Sequence, residues 1–309
     1  MSGTAALTID VDSIGCYRAI HGQGGPVVSA EADPIYRHAL PRVMELLDGR
    51  PATLFLIGQD AATHRSSLQS LMRPGLELAS HSYRHDYRLT RKPAAQIGAD
   101  LAAAETAIAA VAGLPPVGFR APGYNVNATL LRVLAERGYL YDSSLLPAPA
   151  YFWARAAVRS WYDLRGRSSQ SLIGDPRAFF GPLQSYRTTF VRYWEPHPAG
   201  RLLEWPIGVE PSTRLPIIGT SWVLAPDPVR RALLTRLDRC PEFVFEMHAI
   251  DVLDPSEAPA ELVAHQPDLR ISARTKVARL RELFDRLAGR FALRTLAEAS
   301  WDRAATIAA

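Results

Sequence analysis

Short apolar segments typical of strands alternate with helical segments along most of this 309-residue chain. The predicted strands are 7–11, 52–57, 75–80, 117–120, 139–142, 242–247 and 291–293. The predicted helices are 33–48, 94–111, 128–137, 227–239 and 272–287. Such alternation favours parallel strands joined by helical crossovers, so the sequence predicts an α/β fold.

The helix boundaries carry their own signals. Asp33-Pro34 and Asp227-Pro228 each place an aspartate cap before a proline in the first helical turn. Glycines follow three of the predicted helices, at Gly49, Gly113 and Gly138, where a residue free to adopt positive φ ends a helix well.

Polar side chains follow the predicted strands, at the point where each strand ends. They are Asp10, Asp12, His81, Arg120, Asp142 and His248. An α/β barrel places its chemistry at this carboxyl-terminal edge, so these residues are candidates for one site.

Asp10, Asp12 and His81 of this set, together with the nearby His85, predict a metal centre. Asp10 and Asp12 are two apart on a strand and share a face. Side by side, their charges repel unless a cation lies close. His81 and His85 lie four residues apart and can both reach one ion. A carboxylate with two imidazoles suits a catalytic Zn2+ or a similar divalent metal.

Composition narrows the function classes. The net charge of +4 and the pI near 9.2 are too mild and too dispersed to predict nucleic-acid binding. We expect no membrane span and no secretory signal. Cys16 and Cys240 do not form a CxxC motif, so we expect two unpaired thiols and a cytoplasmic location.

Other catalytic motifs are absent from the sequence. Gly22-Gln-Gly24-Gly25 does not lie between a strand and a helix, as a phosphate-binding loop requires. There is no serine or cysteine nucleophile elbow.

The region from about 147 to 224 interrupts the alternation. It is rich in proline, arginine and aromatic residues, including Trp153, Trp161 and Trp222. Two interpretations stay open: an insertion packed over the barrel mouth, or a lid that faces lipid or substrate, since tryptophan and tyrosine suit sugar faces and membrane interfaces.

The ordered motifs resemble those of the polysaccharide deacetylase (NodB homology) family. They are Thr8-Ile-Asp10-Val-Asp12, His81-Ser-Tyr-Arg-His85, Arg120-Ala-Pro122-Gly-Tyr124, Tyr141-Asp142-Ser143-Ser144 and Met247-His248. The resemblance implies a single domain over 1–309 with the 147–224 insertion, folded as a distorted barrel of about seven parallel strands.

The resemblance also implies roles for the residues. Asp12, His81 and His85 would hold the metal, most readily Zn2+, with Co2+, Ni2+ or Fe2+ as substitutes. Asp10 would be the general base, Arg120 would orient it, and His248 would be the general acid. Pro122, Tyr124 and Asp142 would lie at the substrate, with the Tyr124 backbone amide helping to bind the oxyanion. Asp251 would either tune His248 or cap the following turn.

The sequence departs from the family in two places. Val11 separates acids that are adjacent in many relatives, and the aspartate–tryptophan motif of extracellular relatives is not evident. The first departure resembles a branch that includes intracellular deacetylases, cyclic-imide hydrolases and deformylases of lipid-linked aminoarabinose.

The resulting expectation is a hydrolase that removes an N-acetyl group from an amino sugar, which is lipid-linked, nucleotide-linked or part of a conjugate. N-deformylation of a lipid-linked amino sugar and cyclic-imide hydrolysis are alternatives, and a non-catalytic carbohydrate-binding protein is a further one. Peripheral membrane contact fits the lipid-linked case.

Overall fold

The computed structural model describes residues 3–20, 32–154, 156 and 174–308. Over these residues the chain forms a nine-stranded sheet. Its strands are β1 Gly3–Val11, β2 Ala52–Leu56, β3 Leu76–Ser80, β4 Gly118–Phe119, β5 Tyr141–Asp142, β6 Tyr186–Thr188, β7 Leu202–Glu204, β8 Glu242–His248 and β9 Phe291–Leu293. The α/β class predicted from the alternation of elements is confirmed.

Helices connect these strands. They are α1 Ile14–Ile20, α2 Leu40–Leu47, α3 Gly58–Thr63, α4 Arg65–Leu71, α5 Ala94–Ala112, α6 Ala128–Glu136, α7 Gly219–Leu224, α8 Asp227–Leu237, α9 Ala260–His265, α10 Ala273–Arg290 and α11 Leu296–Ala308. A π-helical turn, Ile35–Ala39, leads into α2. Asp33 caps it as predicted, because its Oδ1 accepts the Ile35 N–H at 2.9 Å.

Seven strands lie side by side in the order β7-β5-β4-β3-β2-β1-β8, and every ladder between them is parallel. β6 pairs antiparallel with β7 at one end, and β9 pairs with the start of β1. In the described residues no strand ladder joins β7 to β8. The chain just after β7 spans that gap, where the Gly208 N–H donates to the Val244 carbonyl at 2.8 Å.

The alternation along β1 assigns its side chains to two layers. Leu7, Ile9 and Val11 are fully buried in the large core formed with the surrounding helices. Ala6 faces the other way and packs in a second cluster with Phe55 of β2 and other side chains inside the curved sheet. Because the strand period is two, Asp10 and Asp12 share that inner face with Ala6.

The 147–224 region contributes to the sheet itself. β6, β7 and α7 all lie within it, and β7 pairs in parallel with β5. The segment therefore supplies one of the seven parallel strands, and its description as an insertion stays a prediction. Trp161 and the Gly22-Gln-Gly24-Gly25 segment lie outside the described residues.

Helix α5 is long and apolar enough to cross a membrane by length and composition alone. We expected no such segment. Its buried residues recur at helical spacing, at Ile97, Leu101, Ala104 and Ile108. The helix contacts β3 and three other helices, so the same apolar face serves the core of the fold.

Candidate metal centre

The carboxyl-terminal ends of the parallel strands bring the predicted polar side chains together. Asp10 lies near the end of β1, Asp12 follows that strand directly, and His248 ends β8. His81 follows β3 directly, and Arg120 follows β4. His85 comes from the loop after His81. The convergence at this edge, predicted from sequence, is confirmed.

Asp12, His81 and His85 form one compact donor cluster. Their ligand atoms lie within 4.8 Å of one another. His85 Nε2 is 3.3 Å from Asp12 Oδ2, and His81 Nε2 is 3.6 Å from Asp12 Oδ1. Asp12 Oδ1 is buried and has no hydrogen-bond partner among the described residues. A buried carboxylate oxygen left without a donor, facing two imidazole nitrogens, fits a divalent cation.

Hydrogen bonds from neighbouring residues hold the ring of His81 and the backbone of His85 in place. His81 Nδ1 lies 2.8 Å from the Arg120 carbonyl oxygen, which turns Nε2 toward Asp12. Such backing of a histidine ligand is usual in metal sites. His85 has φ of 52°, in the left-handed region that a non-glycine residue rarely adopts. The backbone N–H of His85 donates to Ser82 Oγ at 3.0 Å, and this hydrogen bond holds the left-handed conformation.

The residues of the cluster shift one another's pKa values. Burial alone would raise the pKa of Asp12, but the neighbouring imidazoles, His85 above all, outweigh it and lower this pKa. Burial opposes the charged form of His85, yet Asp12 raises the pKa of that imidazole well above its usual value. Burial lowers the pKa of His81, so without a metal it is the proton on His85 that supplies positive charge to the carboxylate.

Asp10 lies beside this cluster and is held by Arg120. Arg120 Nη1 donates to Asp10 Oδ1 at 2.7 Å, and both side chains are almost fully buried. The rest of the guanidinium is bound by Ser143, whose carbonyl accepts from Nε at 2.8 Å and whose Oγ accepts from Nη2 at 2.9 Å. The pairing of Arg120 with Asp10 is confirmed, and it leaves Asp10 Oδ2 facing the histidines.

His248 faces Asp10 with one ring nitrogen and contacts Glu246 with the other. The sequence analysis did not identify Glu246. His248 Nε2 lies 4.0 Å from Asp10 Oδ2 and 3.7 Å from Asp12 Oδ2. Its Nδ1 lies 2.9 Å from Oε1 of Glu246. Glu246 is two residues upstream on β8, so the strand period that paired Asp10 with Asp12 would have identified it.

Asp251 caps the turn after β8. Its Oδ2 accepts the backbone N–H of His248 at 2.9 Å, and its Oδ1 accepts the Thr220 hydroxyl at 2.9 Å. Of the two roles left open from sequence, the structure supports the capping one.

The predicted substrate residues are arranged differently from the expectation. The Tyr124 N–H donates to the Ala121 carbonyl at 2.9 Å, so in this conformation that amide is not free to bind an oxyanion. Pro122 is buried in the same turn. Asp142 is fully buried, and its Oδ1 accepts the Ser144 hydroxyl at 2.6 Å. The structure therefore does not bring Asp142 to the open side of the site.

Comparison with known proteins shows a family likeness over part of the chain. Residues 23–141 match the model of the family described as polysaccharide deacetylase. Over these residues the chain is similar to the polysaccharide deacetylases. The matched residues include His81, His85 and Arg120, while Asp10, Asp12 and His248 lie outside them.

A peptidoglycan deacetylase-like protein of Gibberella zeae is 30% identical to the chain over 113 residues. The match covers 35% of this chain and 33% of that protein, so the chain spans about a third of the curated relative's length. This sequence match, like the family match, supports the polysaccharide deacetylase relationship over part of the chain.

Among solved structures, one from Mycobacterium smegmatis that is named after the polysaccharide deacetylases is 22% identical, with a TM-score of 0.53. That alignment covers 95% of this chain and 93% of the other. A family 4 carbohydrate esterase from Streptomyces lividans aligns over 95% and 91% of the two chains, at 19% identity and a TM-score of 0.44. At these identities the first likeness supports the fold alone.

Proposed function

We propose that this chain is a metal-dependent hydrolase of amide bonds that removes an N-acetyl group from an amino sugar. The observation that carries the proposal is a buried carboxylate, Asp10, fixed by Arg120 and facing His248 beside the Asp12–His81–His85 cluster. The match to the polysaccharide deacetylase family supports the acetyl group and the sugar.

The donor set suits Zn2+, with Asp12, His81 and His85 as the residues that would hold it. A cation bound there would polarise the acyl carbonyl and make a water molecule more acidic. Two observations support this assignment. Asp12 Oδ1 has no hydrogen-bond partner among the described residues, and the Arg120 carbonyl holds the His81 ring at Nδ1. Co2+, Ni2+ or Fe2+ would serve the same nitrogen and oxygen donors.

The remaining side chains divide the proton transfers of amide hydrolysis. Asp10 Oδ2 accepts a proton from the attacking water, while Arg120 keeps Oδ1 bound and the carboxylate in place. His248 gives a proton to the leaving nitrogen, because an amine cannot leave as an anion. Base and acid then act from opposite sides of the scissile bond.

A non-catalytic carbohydrate-binding protein would have no use for this arrangement. Burying the Asp10–Arg120 ion pair carries a desolvation cost. Sugar binding alone requires neither that pair nor a histidine facing it. We therefore favour catalysis over binding.

We propose further that the substrate is presented at an anionic lipid surface. Residues 147–224 carry nine arginines, no lysine and five acidic residues, a formal charge of +4 that equals the net charge of the whole chain. Trp153 and Phe180 are 64% and 60% exposed there. Exposed aromatic side chains beside arginines are typical of membrane-interface contacts.

The chain segments that carry Trp153 and Phe180 pack against each other. The rings of Phe152 and Phe179 stack with centroids 4.0 Å apart, and Trp153 and Phe180 follow them directly in sequence. Arg177, whose side chain is 68% exposed, lies three residues before Phe180 in the 3₁₀ turn Pro176–Phe180, and residues at this spacing share a side. This arrangement supports a lipid-linked amino sugar as substrate, and makes N-deformylation of such a sugar the second candidate.

We also propose a cytoplasmic location. Cys16 and Cys240 are both unpaired, as predicted. Unpaired thiols are typical of a reducing compartment.

Acyl release from a defined panel tests the proposed function. The panel contains free, nucleotide-linked and polyprenyl phosphate-linked amino sugars, each as the N-acetyl and the N-formyl compound, together with succinimide. We expect acetate release that requires both bound metal and Asp10. Formate release instead would favour the deformylase, ring opening of succinimide would favour an imide hydrolase, and no turnover of any compound by metal-loaded protein would contradict catalysis.

A further inference from the structure

We infer that Glu246 is the positioning residue that fixes the His248 ring, with Nδ1 bound inside the sheet and Nε2 facing Asp10. The role of His248 as the acid rests on the proposed function. The contact between Glu246 and His248 does not depend on it. Strand β8 thus carries both the acid and the group that orients the acid.

Glu246 is built into the inner face of the sheet. It is fully buried, and it pairs in register with Thr8 of β1, one step below the Asp10–His248 pair. The alternation of β8 supports this, because Phe243, Phe245 and Met247 pack in the large outer core. Glu246 and His248 therefore project together toward the strand ends.

His248 is the cation partner available to Glu246. Arg120 also lies near enough for its charge to interact with Glu246, but its guanidinium is bound by Asp10 and Ser143. The Thr8 hydroxyl donates to the Phe245 carbonyl. Oε1 of Glu246 lies 2.9 Å from His248 Nδ1, an ion-pair contact, and neither carboxylate oxygen has a hydrogen bond of regular geometry among the described residues.

The contact matters because the His248 ring has two orientations related by a flip, and the edge-on packing of Tyr17 supplies no charged partner for Nδ1. Its side chain is 26% exposed, and Asp251 binds its backbone rather than its ring. A 180° ring flip would exchange Nδ1 with Cδ2 and Nε2 with Cε1, and so would aim a carbon atom at the substrate. The buried Glu246 carboxylate, 2.9 Å from Nδ1, opposes this flip because it attracts a protonated nitrogen and not a carbon atom. Carboxylates orient histidines in this way in other acid–base sites.

An alternative role for Glu246 is as a ligand of a second metal ion, since Asp10, Glu246 and His248 also have ligand atoms within 4.8 Å of one another. The Arg120 guanidinium, 2.7 Å from Asp10, argues against a second cation at this place. Like charges so close in a buried site repel strongly.

The first test measures the ring N–H signals of His248 by NMR in zinc-loaded, 15N-histidine-labelled protein. The signals are assigned by comparison with His248→Ala. We expect a slowly exchanging Nδ1–H proton in the wild type and its loss in Glu246→Ala. Glu77→Gln is the control, because Glu77 is a hydrogen-bonded carboxylate on β3 with no contact to His248. An unchanged His248 signal in Glu246→Ala would overturn the inference.

The second test compares an amide with an ester whose leaving group needs no proton. We expect Glu246→Ala to lower kcat on diacetylchitobiose by about 10–100-fold, while hydrolysis of 4-nitrophenyl acetate falls far less. Glu246→Gln keeps the size and an acceptor oxygen, so it should fold and recover part of the loss. Equal losses on both substrates would contradict a role through His248.

Metal content completes the test. One ion per chain in wild type and in Glu246→Ala fits a positioning role, whereas two ions falling to one would make Glu246 a ligand. If the wild type hydrolyses neither compound, the proposed function fails on these substrates, and the His248 proton signal still decides the inference.

Discussion

Asp10 and His248 occupy the same register on adjacent parallel strands, β1 and β8, with Oδ2 and Nε2 4.0 Å apart. The sheet itself thus sets the separation of the proposed base and acid. Neither residue depends on a flexible loop for its backbone position. Rigid strands are a precise scaffold for groups that must act on one bond.

Replacing Asp10 with asparagine should leave the metal bound and remove turnover. The amide keeps the shape and an oxygen for Arg120, but it cannot accept a proton at the working pH. We expect kcat to fall by about 10²–10⁴-fold, the usual contribution of a general base. Acyl release and metal content are measured on the same preparation. Substantial activity in Asp10→Asn would exclude Asp10 as the base.

Replacing His81 with alanine should abolish both metal binding and turnover, because one of three protein donors is lost. Metal per chain is measured by plasma mass spectrometry after dialysis. His38→Ala is the matched control, since His38 is partly exposed and lies 3.8 Å from Glu257, away from the cluster. Normal metal stoichiometry in His81→Ala would remove His81 from the site.

Stability should decline with rising pH because of a buried carboxyl pair. Asp142 and Glu204 lie in register on β5 and β7, and burial raises the pKa of Asp142 to about 6 and that of Glu204 well above its usual value. Their folded-state pKa values exceed the unfolded ones, near 4. The protonated pair thus stabilises the fold below pH 4, and this contribution is lost as the pH rises through 6.

Glu204→Gln should therefore gain stability relative to wild type between pH 4 and 7.5, by about 1–3 kcal/mol, in urea unfolding. Glu257→Gln should behave oppositely. The hydrogen bond from Arg42 lowers the pKa of Glu257, so the native carboxylate stabilises the fold above its unfolded pKa. A pH-independent difference between Glu204→Gln and wild type would contradict the explanation by raised pKa values in this pair.

The exposed aromatic side chains of residues 147–224 should anchor the protein to anionic vesicles. We expect sedimentation with phosphatidylglycerol vesicles, less with phosphatidylcholine, and weakening with salt. The double variant Trp153→Ala/Phe180→Ala should lower the partition constant by about tenfold or more, because two apolar side chains no longer insert. Trp301→Ala is the control, since Trp301 is 59% exposed but lies on α11. Equal binding by all three proteins would contradict the lipid surface.

The sequence determined the local structure and most of the site. Each of the seven predicted strands occurs, with ends that shift by up to four residues, because strand pattern and turn chemistry are local properties. Six site residues, Asp10, Asp12, His81, His85, Arg120 and His248, converge as predicted, since parallel strands bring their carboxyl ends to one edge. Period-two spacing was enough to pair Asp10 with Asp12.

Only the tertiary structure decided which groups stand behind those residues. Leu202–Glu204 was hidden in an irregular region, because a three-residue strand has too little pattern to recognise and is stabilised by its neighbour β5. Spacing could not separate the role of Asp251, which binds a backbone N–H, from that of Glu246, which contacts the ring. Nor could it show that the Tyr124 amide is occupied. Hydrogen-bond partners distant in sequence are chosen by the packing of the sheet.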